Sequence, residues 1–260
     1  MNNTLLKGLE ILEIIARWQR PVGVSELAAS TGMPKSSVHR VLRTLLEARY
    51  LVRHQKGTYA TSIKLWELGS AALLGYELRQ QATTVMDSLV QETGETAHLS
   101  VLDGAEVVYI HKIDSPEPVR SYNTQIGGRA VAHCVATGKA MLAYKDTPWQ
   151  DYAAQRLVPV TPSSITCPAA FAAEMRRIKE RGYAINLGEW QIDVNGVAAP
   201  IFDRAGNVIA AVGVSGPASR LPVSRMHCLS GKVIQSALKL AQLSPDAHLL
   251  AVTRYWNQPL

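Results

Sequence analysis

From the N-terminus, apolar residues recur at helical spacing in three successive runs. Leu5, Leu9, Leu12, Ile15 and Ala16 predict a first helix, capped by Thr4 and ended by the run from Arg20 to Gly23. Ser25 to Thr31, with Leu27 and Ala28 facing inward, predict a second. Gly32 closes it by supplying the positive φ of a tight turn. Pro34 opens the third helix, at a position where its missing N–H costs nothing. In that helix Val38, Val41, Leu42, Leu45 and Leu46 form one apolar stripe. At about 100° per residue, Ser36, Arg40 and Arg43 fall opposite the stripe, with Ser37 and Thr44 at its edge. The pattern then shortens. Tyr50-Leu-Val and Thr58-Tyr-Ala read as two strands around a turn at Gln55–Gly57, with Arg53, His54 and Lys56 near the tip.

Taken alone, the third helix is equally an ordinary solvated amphipathic helix. Its neighbours change the reading. Helix, short glycine turn, helix is the helix-turn-helix arrangement, and a basic hairpin after it makes a winged helix. The exposed face then suits a DNA major groove. Arg40 and Arg43 have the geometry to bond a guanine edge, and hydroxyls bond phosphate or base. Ser36 and Ser37 lie in the first turn, where free N–H groups attract phosphate. Lys35, Arg53 and Lys56 are placed for the duplex backbone. Charge follows the same division. Residues 1–62 hold nine Lys/Arg against four Asp/Glu, whereas the remaining 18 basic and 17 acidic residues nearly cancel. A cationic segment joined to a neutral one is what a phosphate-binding domain with a companion domain shows.

After residue 62, Ile63, Leu65, Trp66 and Leu68 begin a helical junction, and Leu78, Ala82, Val85, Met86, Leu89 and Val90 continue it from Tyr76 to Glu92. No Pro/Gly/Ser tether intervenes, so the connection is semi-rigid, with Gly69 and Gly75 as candidate flexing points. Simple packing explains the junction equally well. Beyond it, Ala97–Leu102 and Glu106–Ile113 predict a hairpin turning at Asp103-Gly104. Tyr122–Ile126 predicts a further strand, and Gly127–Leu142 a loop running into a helix. Phe171–Arg181 predicts a helix ended by Gly182. Val197–Phe202 and Val208–Ser215 predict a second hairpin, and Val223–Gln242 a last helix. The expected fold is α+β in two domains: residues 1–66 a winged helix-turn-helix, 67–84 a linker helix, and 85–260 an antiparallel-sheet domain.

Composition excludes several classes. Cys134, Cys167 and Cys228 are odd in number, widely spaced and without a Cys-x-x-Cys pair, so neither a disulfide framework nor a zinc site is expected. No apolar run approaches a membrane span, and Glu10 and Glu13 argue against a signal peptide, so the expected compartment is the cytoplasm. Cys134 beside His133 invites a nucleophile reading, but neighbours on a helix point about 100° apart. No Ser-His-Asp series or carboxylate pair is apparent. The expectation is a binder with no catalytic residue, cofactor or metal. Ala136-Thr-Gly-Lys139 and Val214-Ser-Gly-Pro217 place hydroxyls and backbone amides where a small carboxylate would sit, on Thr137, Ser215 and the amides of 136–138. A helix cap and a strand-end turn would look the same. His133, Trp190 and Met141 are further candidates for the cavity wall.

Lys7-Gly-Leu-Glu-Ile-Leu12, the run from Ser25 to Leu42 and these later motifs resemble the IclR family of bacterial transcriptional regulators across nearly the whole chain. The resemblance implies a winged-helix domain on operator DNA, a linker helix and a GAF-like effector-binding domain. It also implies a homodimer, often paired into a dimer of dimers. It places the effector at Ala136, Thr137, Asn186, Gly196, Gly213 and Ser215, with Gly138 beside them. Relatives often carry Asp where Asn186 stands, and some carry hydrogen-bonding side chains where Gly196 and Gly213 stand. Fewer polar groups and more room there imply an organic acid larger than the smallest 2-oxo acids, such as an aromatic one. Whether such a regulator represses or activates depends on its operator's place at the promoter.

Overall fold

The computed structural model describes residues 3–73, 77–118, 124–145 and 157–243, without the side chains of residues 3, 56, 70–73 and 77–81. The chain forms two compact units, Met1–Gly75 and Tyr76–Leu260.

The first unit contains α1 (Asn3–Trp18), α2 (Val24–Thr31), α3 (Lys35–Glu47), strands β1 (Leu51–Arg53) and β2 (Tyr59–Thr61), and α4 (Ile63–Leu73). Gly32 takes φ 66° and closes α2 as expected. Ile11, Ile15, Leu27, Val38, Leu42, Leu51 and Tyr59 make the core. Strands β1 and β2 pair antiparallel around a 3-10 turn at Gln55–Gly57. Val22 bridges to Tyr59 and ties the end of α1 to this wing. Two details of α1 differ from the sequence reading. The helix includes Asn3, so Thr4 lies inside the first turn rather than capping it. Leu5 and Leu9 are 61% and 48% exposed, and the buried positions are Ile11 and Ile15. Leu5 and Leu9 instead form one wall of a shallow apolar groove, opposite Val41 and Leu45. Stretch 67–84 covers most of α4 and the first half of α5, with 74–76, and so Gly75, outside the described residues.

The second unit is built on a six-stranded antiparallel sheet. In chain order its elements are α5 (Glu77–Thr93), β3 (Thr96–Asp103), β4 (Glu106–Ile113), β5 (Arg129–Val131), α6 (Ala136–Leu142), α7 (Pro168–Arg181), β6 (Ala184–Leu187), β7 (Val194–Phe202), β8 (Val208–Pro217) and α8 (Val223–Leu243). The strand order is β5-β4-β3-β8-β7-β6. Side chains alternate across it. Leu99, Val197, Val212 and Val214 face Met86, Leu89, Met226 and Val233 of α5 and α8. On the opposite face Tyr109, Ala198 and Ala211 join Ala140, Met141, Phe171 and Met175 of α6 and α7. Burying both faces explains why the middle strands read as near-continuous apolar runs. The turn of the first hairpin is Gly104-Ala105, one residue later than expected, because Asp103 pairs with Glu106. Of the strand expected at Tyr122–Ile126, Tyr122 and Asn123 lie outside the described residues and Thr124–Ile126 is not strand. The edge strands β5 and β6 were not foreseen; each is only three or four residues long. A buried clasp fixes the start of β3. Glu95 is 0% exposed and accepts from Arg220 at both oxygens, at 2.8 and 2.6 Å.

Candidate functional site

In the first unit, α3 buries Val38 and Leu42 completely and tucks Val41, Leu45 and Leu46 partly against the core. Its other face carries Lys35, Ser36, Arg40, Arg43 and Thr44, all exposed, with Ser37 half-buried. Ser37 and Val38 donate backbone N–H bonds to Pro34. Arg43 is held only loosely, 3.3 Å from Glu47 and open to solvent. Arg53 and His54 are exposed on the wing. The backbone of Lys56 lies in the wing turn, and its side chain lies outside the described residues. This surface is cationic, hydroxyl-bearing and backed by a packed helix.

In the second unit a cavity lies on the α6 side of the sheet. The volume of its inner chamber is about 40 Å³. Ala136 and Thr137 from α6, Asn186 from β6, Gly196 from β7, and Gly213 and Ser215 from β8 all line it. Six of the seven expected positions are therefore brought together. Gly138 is not on the wall; a Cβ there would lie 2.1 Å from the Ala132 carbonyl oxygen, so the residue permits a close backbone approach. The room expected at Gly213 is also filled. A Cβ on it would meet Ala198 Cβ and Val197 O, each at 2.5 Å, so Gly213 serves strand packing. Trp190 lines the chamber as anticipated. His133 and Met141 do not. His133 is buried, with Nε2 3.1 Å from Val158 O, and Met141 belongs to the core.

His98 and Tyr109, which no motif marked, complete the wall. Their rings tilt together with centroids 5.4 Å apart. His98 Nε2 lies 2.7 Å from Ser215 Oγ, reaching across from the neighbouring strand. Burial holds the imidazole neutral, its pKa pushed down to about 3, with the Lys112 charge adding to the effect against Asp114. Burial also pushes the Tyr109 phenol up to about 12. His98 Nδ1 and Thr137 Oγ1 have no hydrogen-bond partner among the described residues. Among the described residues no Asp, Glu, Lys or Arg lines the chamber. The nearby cation, Lys139 on α6, turns to Glu189 at 2.5 Å, and both are buried. Asn186 Oδ1 accepts the Glu189 N–H at 2.9 Å, so the same side chains pin the segment that carries Trp190.

Tyr109, Thr124, Trp190 and Gln191 also line a second, wider space of about 290 Å³, a vestibule that shares this wall with the chamber. Arg129 stands in the vestibule wall. It pairs with Asp103 and, at 3.0 Å, with Glu106. Among the described residues no group of three or more His, Cys, Asp or Glu stands ready for a metal, and Cys134 is buried with its thiol pushed up to about 11.

Comparison with known proteins gives the same two-part division. The family model described as "IclR helix-turn-helix domain" matches residues 4–55, and "Bacterial transcriptional regulator IclR C-terminal" matches residues 70–242. HTH-type transcriptional regulator KdgR of Escherichia coli K12 is 34% identical over 231 residues, covering 86% of each chain. The crystal structure of the Thermotoga maritima IclR superposes with a TM-score of 0.75 at 31% identity, covering 93% of this chain and 98% of that one. An IclR homologue from Microbacterium hydrocarbonoxydans, crystallised with 4-hydroxybenzoate, gives 0.80 at 25% identity, again over 93% and 98%.

Proposed function

The chain belongs to the IclR family of bacterial transcriptional regulators, and we propose that it is a sequence-specific regulator of a catabolic operon controlled by a small organic acid. Members of this family are regulators and not enzymes. In our reading residues 1–66 hold the DNA, 67–84 connect, and 85–260 bind the effector. The observation that carries the DNA reading is the exposed face of α3, where Arg40 and Arg43 stand opposite a sealed apolar back. Ser36, Ser37, Arg40 and Arg43 contact base edges and phosphates, and Lys35, Arg53 and Lys56 hold the backbone. Two copies of the chain, paired as a dimer or a dimer of dimers, read the halves of a partly palindromic operator. Among the described residues no helix is long and apolar enough to cross a membrane, which suits a protein working on DNA in the cytoplasm.

The effector sits in the chamber at Ala136, Thr137, Asn186, Gly196, Gly213 and Ser215. Two buried polar atoms, His98 Nδ1 and Thr137 Oγ1, without partners among the described residues support this, since such atoms are normally satisfied. The bound 4-hydroxybenzoate of the Microbacterium protein supports an acid of this kind. The test is a footprint of the full chain on DNA upstream of its own and neighbouring genes, repeated with candidate acids. A protected palindrome whose affinity changes with one acid is expected. Equal binding to every fragment, unmoved by any acid, would sink the proposal.

A further inference from the structure

The inner chamber is small for the role given to it. About 40 Å³ holds about three waters, far less than an ordinary ligand pocket. A larger organic acid therefore needs a wall that gives. Most of the wall is rigid. α6 is buried from end to end, and β7 and β8 are each paired on both sides in the sheet. Trp190 and Gln191 are held differently. They are half-buried, lie outside any strand, and belong to the wall that chamber and vestibule share. Moving them joins the two spaces.

One buried ion pair and two hydroxyls fasten this segment. Lys139 Nζ on α6 meets Glu189 Oε1 at 2.5 Å, with the side chains 1% and 7% exposed. Thr161 Oγ1 donates to Gly188 O at 2.7 Å and Ser164 Oγ to Glu189 O at 2.8 Å, both from a half-buried turn where water can take their place. The ion pair is incompletely satisfied. Glu189 Oε1 takes Lys139 and a long 3.4 Å bond from the Leu187 N–H, whereas Oε2 is buried with no partner among the described residues. Glu95 shows how a permanent anchor differs, gripped at both oxygens by Arg220. Desolvating two charges nearly cancels their attraction, so rehydration offsets much of what breaking a buried pair costs. The orphaned oxygen moves that balance further toward opening, because water satisfies it only when the pair lets go.

From this contrast we infer that Lys139–Glu189 is a latch on the wall between chamber and vestibule. Lys139 and Glu189 are positioning residues: they hold Trp190 in place and touch no ligand. With the pair formed, the two spaces stay separate. With the pair released, Gly188–Gln191 swings away and the spaces become one, roomy enough for an organic acid. What enters rests on the effector reading above, whereas the latch itself does not.

Hydrogen exchange of the full chain, with no acid added, tests the latch. The Gly188 N–H bonds to Val194 O and the Val194 N–H to Gln191 O, closing the base of the segment, so its swing exposes both amides. In the wild-type chain they should exchange faster than the amides of β8, through an opening that leaves the sheet intact. Lys139→Met removes a charge-assisted bond and should speed them about 10-fold or more relative to wild type. The double variant Lys139→Met, Glu189→Leu replaces the pair by apolar side chains of similar size. It should fold as stably as wild type and slow the same amides about 10-fold, because no rehydrated charge rewards opening. A pair that served only the fold would not give opposite signs: its single loss would speed every amide, β8 included, and the double variant would restore them all. Trp190, labelled as 5-fluorotryptophan and assigned through Trp190→Phe, gives a second readout. Its fluorine resonance should move toward the solvent-exposed shift in the single variant and away from it in the double. Gly188 and Val194 exchanging no faster than β8 in wild type would overturn the latch. So would a double variant in which they exchange as fast as in the single one. If the latch behaves as expected and no acid changes the footprint, the effector reading alone is overturned.

Discussion

Replacing Arg220 by alanine strips the main partner from a carboxylate with no exposed surface. Arg220 meets both Glu95 oxygens, Nε to Oε1 at 2.8 Å and Nη2 to Oε2 at 2.6 Å. Arg225 stands 3.7 Å from Oε1, a second and weaker partner. Breaking a buried pair from one side costs about 3–5 kcal/mol, because the charge left behind is uncompensated. Arg225 puts the expected loss near the lower end, about 3 kcal/mol. At about 2–4 °C per kcal/mol for a unit of this size, the midpoint should fall by roughly 6–12 °C. Gly216 gives an independent handle on the same carboxylate. A Cβ there would lie 2.1 Å from Oε2 and 2.7 Å from Cδ of Glu95. The carboxylate cannot retreat without leaving Arg220, so Gly216→Ala should cost about 1–3 kcal/mol. In a Glu95→Ala background that cost should largely vanish. Urea unfolding of the four variants in a double-mutant cycle measures the coupling. An Arg220→Ala loss under about 1 kcal/mol would refute the assigned role of the clasp. A Gly216→Ala cost that persists without Glu95 would refute the steric account.

On operator DNA, Arg40→Ala should lose about 1–3 kcal/mol and relax specificity at one position of each half-site, read by competition gel shift; unchanged affinity would show that α3 does not dock by this face. His98 titrates near 6.5 when unfolded and about 3 when folded. Its contribution is therefore complete above pH 6.5 and is lost as pH falls toward 3, with a slope of at most about 1.4 kcal/mol per pH unit. Unfolding of wild type against His98→Gln between pH 4 and 7 should show the difference in slope, and parallel curves would contradict a neutral buried imidazole. Lys139→Met should cost about 3–5 kcal/mol by stranding Glu189, whose carboxyl burial already pushes upward against the pull of Lys139. That carboxyl then has a folded pKa above its unfolded value, so the loss should shrink at low pH as Glu189 takes a proton. A loss that is the same at pH 5 and pH 8 would speak against the pairing.

Elements whose pattern is local were legible in the sequence. Helix α3, the wing and both long hairpins were visible because each carries its own period and its own turn residues. The exposure of Leu5 and Leu9 was not, since periodicity gives a face but not what lies opposite it. Edge strands β5 and β6 are too short for alternation to register. The cavity divides in the same way. Thr137 and Ser215 sit in motifs that a carboxylate would recognise. His98 reaches Ser215 only because β3 pairs with β8, 117 residues apart along the chain. Lys139 read as part of an anion-binding run, but it is spent on Glu189, a partner that sequence distance conceals. Gly213 read as added room, and only the register opposite Ala198 shows that the room is occupied.

The chamber binds a charge, in our reading, while its described wall presents none, and there is a physical reason for that design. A free cation in an apolar cavity would carry a desolvation cost of several kcal/mol whenever the effector is absent. Neutral donors incur a much smaller cost in the unliganded state, so the site stays folded with or without its acid. The residue that bears this cost is Thr137, 6% exposed and with no partner for its hydroxyl among the described residues. A buried hydroxyl without a hydrogen bond is destabilising by about 1–3 kcal/mol, and replacing it by an isosteric methyl removes that penalty. Thr137→Val should therefore raise the unfolding midpoint of the ligand-free protein while abolishing its response to acids. A function residue that lowers stability is the expected trade-off at a binding site, whereas a helix-capping threonine would do the reverse. If Thr137→Val lowers the midpoint, the hydroxyl serves the fold and is not kept for a ligand.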